Sequence, residues 1–228
     1  MKSQSIPLPQ PESIIERSLF ATLRARRSVR EFSRRPLEWK EISALLWAGQ
    51  GTTDAALQLR IAPSAGALYP LELDAIISSG VFRYNPADHT VLQRNHQDVR
   101  SRLSSAALSQ ACLENSSCIF AVSAVPSRTL MKYGERGTRY IHIEVGHAVQ
   151  NMLLTACALG LAGVPMGAFD DEAVSSVLEL RPNEIPLYLV PIGWPRTRDE
   201  SADSHHTKSR ASQSDSGRKQ TESECQPT

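Results

Sequence analysis

Three arginines fall within five positions in "RRSVREF", at Arg26, Arg27 and Arg30, with Ser28 between them. Clustered guanidinium forks bind a phosphate dianion bidentately, and a serine hydroxyl adds one more hydrogen bond. The same residues also suit a solvated basic turn, because charge runs usually face water. Arg196, near the far end of the folded sequence, is a distant candidate for the same anion site. About thirty residues after the arginines, "PSAGALYP" sets Ser64, Ala65, Gly66 and Ala67 close behind Pro63 and before Pro70. Gly66 permits a backbone geometry or a close approach that a Cβ would forbid, so a flat ring can lie on this loop. An ordinary loop before the next strand explains it equally well. A second small-residue loop, Pro165 to Phe169, includes Gly167 and Ala168, whose free N–H groups can point at a ring nitrogen. A phosphate clamp with two such platforms fits a phosphorylated tricyclic ring better than a sugar nucleotide.

These segments need elements to hold them. Pro11 to Ala25 carries Ile14, Ile15, Ser18, Leu19 and Leu23 at helical spacing, and a second helix is predicted from about Glu38 to Ala48. "LELDAII" (71–77) reads as a buried strand, and "VFRYN" and "TVLQR" form a hairpin around "PADH". Residues 97–108 read as a helix, "CIFAVSAV" (118–125) as a central strand, and 139–161 as a long helix apolar nearly all round. "AGVPMGAF" gives a short strand, Asp170 or Asp171 caps a helix through Leu180, and "LYLVPIGWPR" supplies the last strand. Strands and helices do not alternate strictly and a hairpin sits in mid-chain, which predicts an α+β fold, a sheet flanked by helices.

Composition sets the limits. The chain has 228 residues, 41% of them hydrophobic, and a formal net charge of +1. That suffices for a sizeable core, and no global field draws the chain to nucleic acid or to an anionic membrane. Cys112, Cys118, Cys157 and Cys225 include no CxxC pair. Neither a signal-peptide core nor an unbroken apolar run of membrane length is present, so a cytoplasmic protein is expected. From Thr197 to Thr228 there is no aromatic, Leu, Ile, Val or Met, which predicts a disordered polar tail after a single domain over residues 1–196. His205 and His206 in that tail read as solvated rather than as metal ligands, and no metal is expected. No GxGxxG follows a strand, and GxxxxGK and GxSxG are absent, so an enzyme here would borrow its chemistry from a cofactor held in another way. His142 and His147 are five apart, the wrong spacing for two ligands on one helical face. Glu144, His147 and Asn151 lie close to one helical stripe and read as a buried polar network.

"RRSVREF", "WAGQGTT", "APSAGALYPLEL", the stretch from Lys132 to Asp171 and "LYLVPIGWP" occur in that order over roughly residues 8 to 196. Together they resemble the nitroreductase superfamily, and within it the SagB-type dehydrogenases that oxidise peptide azolines. The resemblance implies a nitroreductase-like fold with a mixed, mainly antiparallel sheet. It implies non-covalent FMN and a homodimer with the flavin at the subunit interface. Arg26, Arg27, Ser28 and Arg30 match the first FMN motif; Ser64, Ala65 and Gly66 match the loop along the ribityl chain and ring. Gly167 and Ala168 match the loop whose backbone approaches flavin N5, and Arg196 sits where a late phosphate-binding arginine is expected. Ala67 stands where many nitroreductases carry an asparagine that bonds the pyrimidine edge.

Lys132 and Tyr133 match the catalytic Lys-Tyr pair of the azoline dehydrogenases. A desolvated lysine serves as a base and a phenol as a proton relay. Both reach one site from a strand only if the stretch is a loop, as Gly134 and Gly137 suggest. The resemblance thus implies hydride transfer from a thiazoline or oxazoline to flavin N5, with dioxygen as terminal acceptor. A separate cyclodehydratase and a precursor peptide would be its partners. Two other readings fit the same flavin site: an NAD(P)H-dependent reductase of nitroaromatics or quinones, and a flavin-binding scaffold subunit of a peptide-modifying complex.

Overall fold

The computed structural model describes residues 5–11 and 17–196. It divides the chain into a unit from Met1 to Pro195 and a second beginning at Arg196, of which only that residue is described. The expected tail lies outside the described residues, as do His205, His206 and Cys225.

In chain order the elements are β1 (Ser5–Pro7), α1 (Leu19–Ala25), α2 (Trp39–Gln50), β2 (Thr52–Asp54), β3 (Leu59–Arg60), β4 (Leu71–Ile77), β5 (Gly80–Asn85) and β6 (Thr90–Asn95). They continue with α3 (Arg100–Ala106), α4 (Ala111–Asn115), β7 (Cys118–Ala124), α5 (Ser127–Tyr133), α6 (Arg136–Ala158), β8 (Ala162–Gly163), α7 (Asp171–Leu178) and β9 (Ile185–Gly193). Seven strands form one sheet in the order β1-β6-β5-β4-β7-β9-β8, while β2 and β3 pair separately. Every strand pair in the large sheet is antiparallel.

β7 lies inside the sheet between β4 and β9, and its seven residues are all buried. Strand periodicity divides them between two cores. Cys118, Phe120, Val122 and Ala124 join the cluster that includes Ile42 and Leu45 of α2 and Ile141, Val149 and Met152 of α6. Ile119 and Ala121 join the opposite cluster, with Leu103 of α3, Leu113 of α4 and Val174 of α7. A sheet buried on both faces needs such continuous apolar strands, and that is why "CIFAVSA" shows no polar alternation. A Cβ on Gly49 would sit 3.0 Å from Leu73 Cδ1 and from Met152 Sδ, so glycine sets how closely α2 approaches β4 and α6. Asp170 caps α7 by accepting from the N–H of Ala173 at 2.8 Å.

The outer elements differ more from expectation. Residues 12–16 lie outside the described chain, and the first described helix starts only at Leu19, behind its cap Ser18. Leu19 and Leu23, expected to face the core, are exposed, and so is Phe20 at 81%. α6 is buried on one face only, leaving His142, Ile143, His147 and Gln150 exposed. Within the expected polar stripe Glu144 is buried, Asn151 is partly covered and His147 faces outward.

A buried ion network ties β4 and β5 to the start of β9. Arg83 forks onto Asp74 with two bonds of 2.8 Å and onto Glu184 at 3.0 and 3.3 Å, and reaches Glu72 at 3.2 Å. Arg94 reaches Asp74 at 3.5 Å, Arg181 reaches Glu184 at 3.1 Å, and Arg128 pairs with Glu72. Burial opposes charge on Arg83, but Asp74 and Glu184 outweigh that effect and raise its pKa.

Candidate functional site

The expected site residues gather in two groups. The first forms where the chain leaves α1 and runs beside β8. Ser28 bridges Gly163 in parallel fashion, and the N–H of Val29 donates to the Gly163 carbonyl at 3.2 Å. This backbone seam places Arg26 and Arg27 on a cleft of about 330 Å3, against Leu153 and Cys157 of α6 and the turn Gly160–Gly163. Arg27 Nη1 donates to the carbonyls of Arg24 at 3.0 Å and Arg26 at 2.8 Å, which ties its guanidinium to the α1 end.

Arg30 is exposed and close enough to lower the tendency of the Cys112 thiol to stay neutral, against the larger upward push of burial. Cys112 Sγ lies 3.7 Å from Met166 Sδ, next to the second small-residue loop. Gly167 and Ala168 are exposed there, between the Met166–Leu189 bridge and the α7 cap. Among the described residues their N–H groups donate to nothing, and only the Ala168 carbonyl is engaged, by Gln110 at 3.1 Å. Arg196 is the last described residue and opens the second unit.

The second group centres on the loop before β4. Residues Ala65–Ala67 make one turn of 3₁₀ helix in which Gly66 has φ +64°. Ala67 and Tyr69 also take left-handed geometry, at φ 53° and 45°. Such residues cost about 1–2 kcal/mol each and persist where neighbours hold them. The holding contacts are local: the N–H of Tyr69 donates to Ser64 Oγ at 2.9 Å, and the N–H of Ala67 to the Ser64 carbonyl at 3.1 Å.

Lys132 and Tyr133 converge on this loop. A Cβ built on Gly66 would lie 2.8 Å from Tyr133 Oη and 2.9 Å from Lys132 Nζ. The pair closes α5 rather than lying in a loop, with Gly134 at φ 55° ending the helix. Neighbours on a helix diverge by about 100° rather than 180°, so both side chains reach one glycine. Tyr140 packs edge-on against Tyr133 with ring centroids 5.1 Å apart. Lys132 itself is exposed in the single chain. Gly66→Ala is expected to cost about 1 kcal/mol for the left-handed backbone. It should lower turnover further by driving both side chains aside, which denaturation and steady-state rates measured on the same variant will separate.

Glu144 stands behind the loop. It is 2% exposed, and its Oε1 has no hydrogen-bond partner among the described residues; nor has Nε2 of the fully buried Gln50. Burial pushes the Glu144 carboxyl up to about 7, an effect that the Ser64 hydroxyl, the Arg60 guanidinium and the Gln50 side chain only partly offset. Between pH 4.5, its ordinary value, and about 7 the folded protein therefore holds a proton that the unfolded chain releases. Stability should fall as pH rises through that window and then level off. Glu144→Gln should flatten that slope and stabilise the protein at pH 8 by about 3 kcal/mol, read from urea unfolding at pH 5 and pH 8.

Glu144 contacts the second group, while Leu153 and Cys157 line the first group's cleft. At 1.5 Å per residue they stand about 14 and 20 Å apart along α6. The Arg26 cleft does not include the Ser64 loop. Sequence reasoning did not single out Arg60, which joins the second group through Tyr69 and Gln50. Its signal is its place immediately before "IAPSAG".

A sheet wrapped by helices, with an arginine cleft at one end of its long helix and a strained glycine loop near the other, is matched by one family. The sequence profile of the nitroreductase family covers residues 23–194, and the chain belongs to that family. A protein of Methanocaldococcus jannaschii named as a nitroreductase is 39% identical over 197 residues, spanning 84% of this chain and 96% of the other. A Ralstonia eutropha structure bearing the same family name superposes with a TM-score of 0.78 at 25% identity, covering 87% of this chain and 93% of that one. A chain of the Escherichia coli microcin synthetase McbBCD complex shares the fold, with a TM-score of 0.67 at 21% identity and coverages of 86% and 79%. The protein is thus an oxidoreductase of the nitroreductase family, of mixed α+β fold with an antiparallel central sheet flanked by helices. Among the described residues no helix is long and apolar enough to cross a membrane.

Proposed function

We propose that the protein is an FMN-dependent dehydrogenase that oxidises thiazoline or oxazoline rings in a peptide to azoles. The observation that carries this reading is the convergence of Lys132 Nζ and Tyr133 Oη on Gly66, where a Cβ would displace both. A reductase that only exchanges hydrides needs no such pair. The fold neighbour from microcin synthetase, determined with truncated pro-MccB17 bound, also supports a peptide-modifying role.

The residues present fit FMN. Arg26 and Arg27 on a cleft beside glycine backbone suit its phosphate, with Ser28 next to them. Arg30, whose charge reaches Cys112 beside Met166, suits the electron-rich edge of the ring. Ser64, Ala65 and Gly66 form a small-residue loop suited to the ribityl chain and ring, and the free N–H groups of Gly167 and Ala168 suit a ring nitrogen. Bound FMN supplies a two-electron acceptor. Lys132 takes the proton that leaves the azoline ring carbon, and Tyr133, held by Tyr140, relays it outward. An exposed ammonium is a poor base, so substrate or a second subunit must exclude water from Lys132.

A homodimer answers both that need and the separation of the two groups along α6, since a second copy can bring its Ser64 loop to the Arg26 cleft. Exposed Leu19, Phe20, Met131 and Ile143 give a second copy apolar surface to cover. A cyclodehydratase with its precursor peptide is the further partner this function requires, in the cytoplasm. The 39% identity to a protein named as a nitroreductase favours one alternative, an NAD(P)H-driven reductase. Oxidation of a synthetic peptide thiazoline with dioxygen, run beside NADPH consumption with a nitroaromatic, separates the two. Turnover only in the second assay would replace the proposal with the alternative.

A further inference from the structure

A cavity of about 420 Å3 opens beside the ion network of β4 and β5, within the size range of small-molecule sites. Its charged lining is Arg60, Glu72, Arg83 and Arg128. Arg83 is consumed by Asp74 and Glu184, and Arg128 by Glu72 and the Tyr69 carbonyl at 3.0 Å. Arg60 differs. Among the described residues it has no carboxylate within 4.0 Å; Glu72 and Glu144 act on it only from farther away.

Its guanidinium is nonetheless fixed. Arg60 Nη1 donates to Gln50 Oε1 at 2.8 Å, and the group lies over the Tyr69 ring at 4.6 Å from the centroid. The remaining four guanidinium N–H donors find no partner among the described residues. Burial pushes the Arg60 pKa down, as expected for a cation withdrawn from water without a counterion. Gln50, also on the cavity wall, is 0% exposed and keeps its Nε2 unpartnered. A half-buried cation without a counterion is unfavourable unless an anion completes it.

The lining sets the kind of anion. One unmatched positive charge calls for a monoanion, and a planar fork of N–H groups matches a carboxylate edge to edge. Leu68, Leu71 and Leu73 supply an apolar wall for the body that carries it. The cavity also adjoins the second site group: Tyr69 hydrogen-bonds Ser64, and Arg128 stands one helical turn before Lys132 on α5.

We propose that this cavity is a receptor for a carboxylate on an apolar body, gripped by Arg60. It would anchor the substrate beside Lys132 and Tyr133. Only that last step rests on the function proposed above.

Calorimetric titration of the full chain as purified tests the site, with N-acetyl-leucine, its neutral carboxamide and inorganic phosphate as probes. N-acetyl-leucine is expected to bind once per chain with Kd below about 1 mM. The carboxamide and phosphate should bind at least about tenfold more weakly, the loss expected for one charge-assisted fork. Arg60→Gln and Arg60→Lys should each weaken the acid at least about tenfold. No binding of the acid, equal binding of acid and amide, equal binding of phosphate, or undiminished binding by Arg60→Gln would each overturn the proposal. If neither Arg60 variant folds, the acid-to-amide ratio in the native protein decides alone. Because binding is read without turnover, failure of azoline oxidation leaves this result standing, and the converse also holds.

Discussion

Arg83→Met is expected to destabilise the protein by about 3–5 kcal/mol, a large part of the ~5–15 kcal/mol that holds a typical domain folded. The substitution roughly keeps the side chain's length but leaves Asp74, at 1% exposure, and Glu184, at 5%, facing each other without their shared cation. The cost is the burial of two carboxylates left only with the more exposed Arg94 and Arg181, rather than the loss of the ion pairs' net worth, which in a buried setting is small. Two further results should follow. Glu184→Gln placed on top of Arg83→Met should recover part of the loss, because one of the stranded charges is gone. In the native protein Glu184 is pushed up by burial but held lower overall by Arg83, so it contributes stability above its ordinary 4.5 that disappears as pH falls. Urea unfolding at pH 7 and pH 4, with and without Arg83→Met and both in a Glu144→Gln background that removes the opposing contribution of Glu144, should show stability dropping with acid when Arg83 is present. The protein carrying Arg83→Met should drop less, since its stranded carboxylates gain by protonation. A loss under about 1 kcal/mol at pH 7 would mean that the network is not the buried unit described.

Lys132→Ala is expected to cut azoline oxidation by about 10²–10⁴-fold while bound flavin and folding stay unchanged. Lys132 is exposed and lies at the end of α5, so its removal creates no cavity and strands no charge. Tyr133→Phe should be milder, because Tyr133 keeps its edge-on contact with Tyr140 and loses only the relay oxygen. Rates and flavin absorbance measured on the same preparations distinguish a lost base from a lost cofactor. Native turnover in Lys132→Ala would remove the proton-abstraction role and favour the reductase.

Legibility in the sequence followed the reach of each signal. β4, the β5–β6 hairpin, β7, α2 and the Asp170 cap were readable because each depends on periodicity or capping within a short window. β1 escaped because three residues ending in proline carry no period, and its pairing with β6 is decided some 85 residues away. α5 was read as a loop on the strength of Gly134 and Gly137, whereas the first of these only terminates the helix. Leu19 and Leu23 have the spacing of a core helix, yet in the single chain that face is bare. The glycine loop and its Lys-Tyr neighbours were legible through resemblance, but their convergence is a tertiary fact. Arg83 was not legible at all, and Arg60 only through its place immediately before the Ser64 loop. Arg83 meets Glu184 across 101 positions, and a strand arginine has the same one-letter signature whether it is solvated or buried.

The proposed function stands on Arg26, Arg27 and Ser28 holding the phosphate, and Arg30 the electron-rich ring edge, of a flavin that rests on the Ser64–Gly66 and Gly167–Ala168 loops. Its most direct test is the visible spectrum and mass of the chromophore released from purified protein, native and Arg26→Ala/Arg30→Ala, after incubation with FMN. The account predicts close to one FMN per chain in the native protein and at least a tenfold weaker hold in the double variant. A colourless native protein that takes up no FMN, or a double variant that binds it equally well, would contradict it.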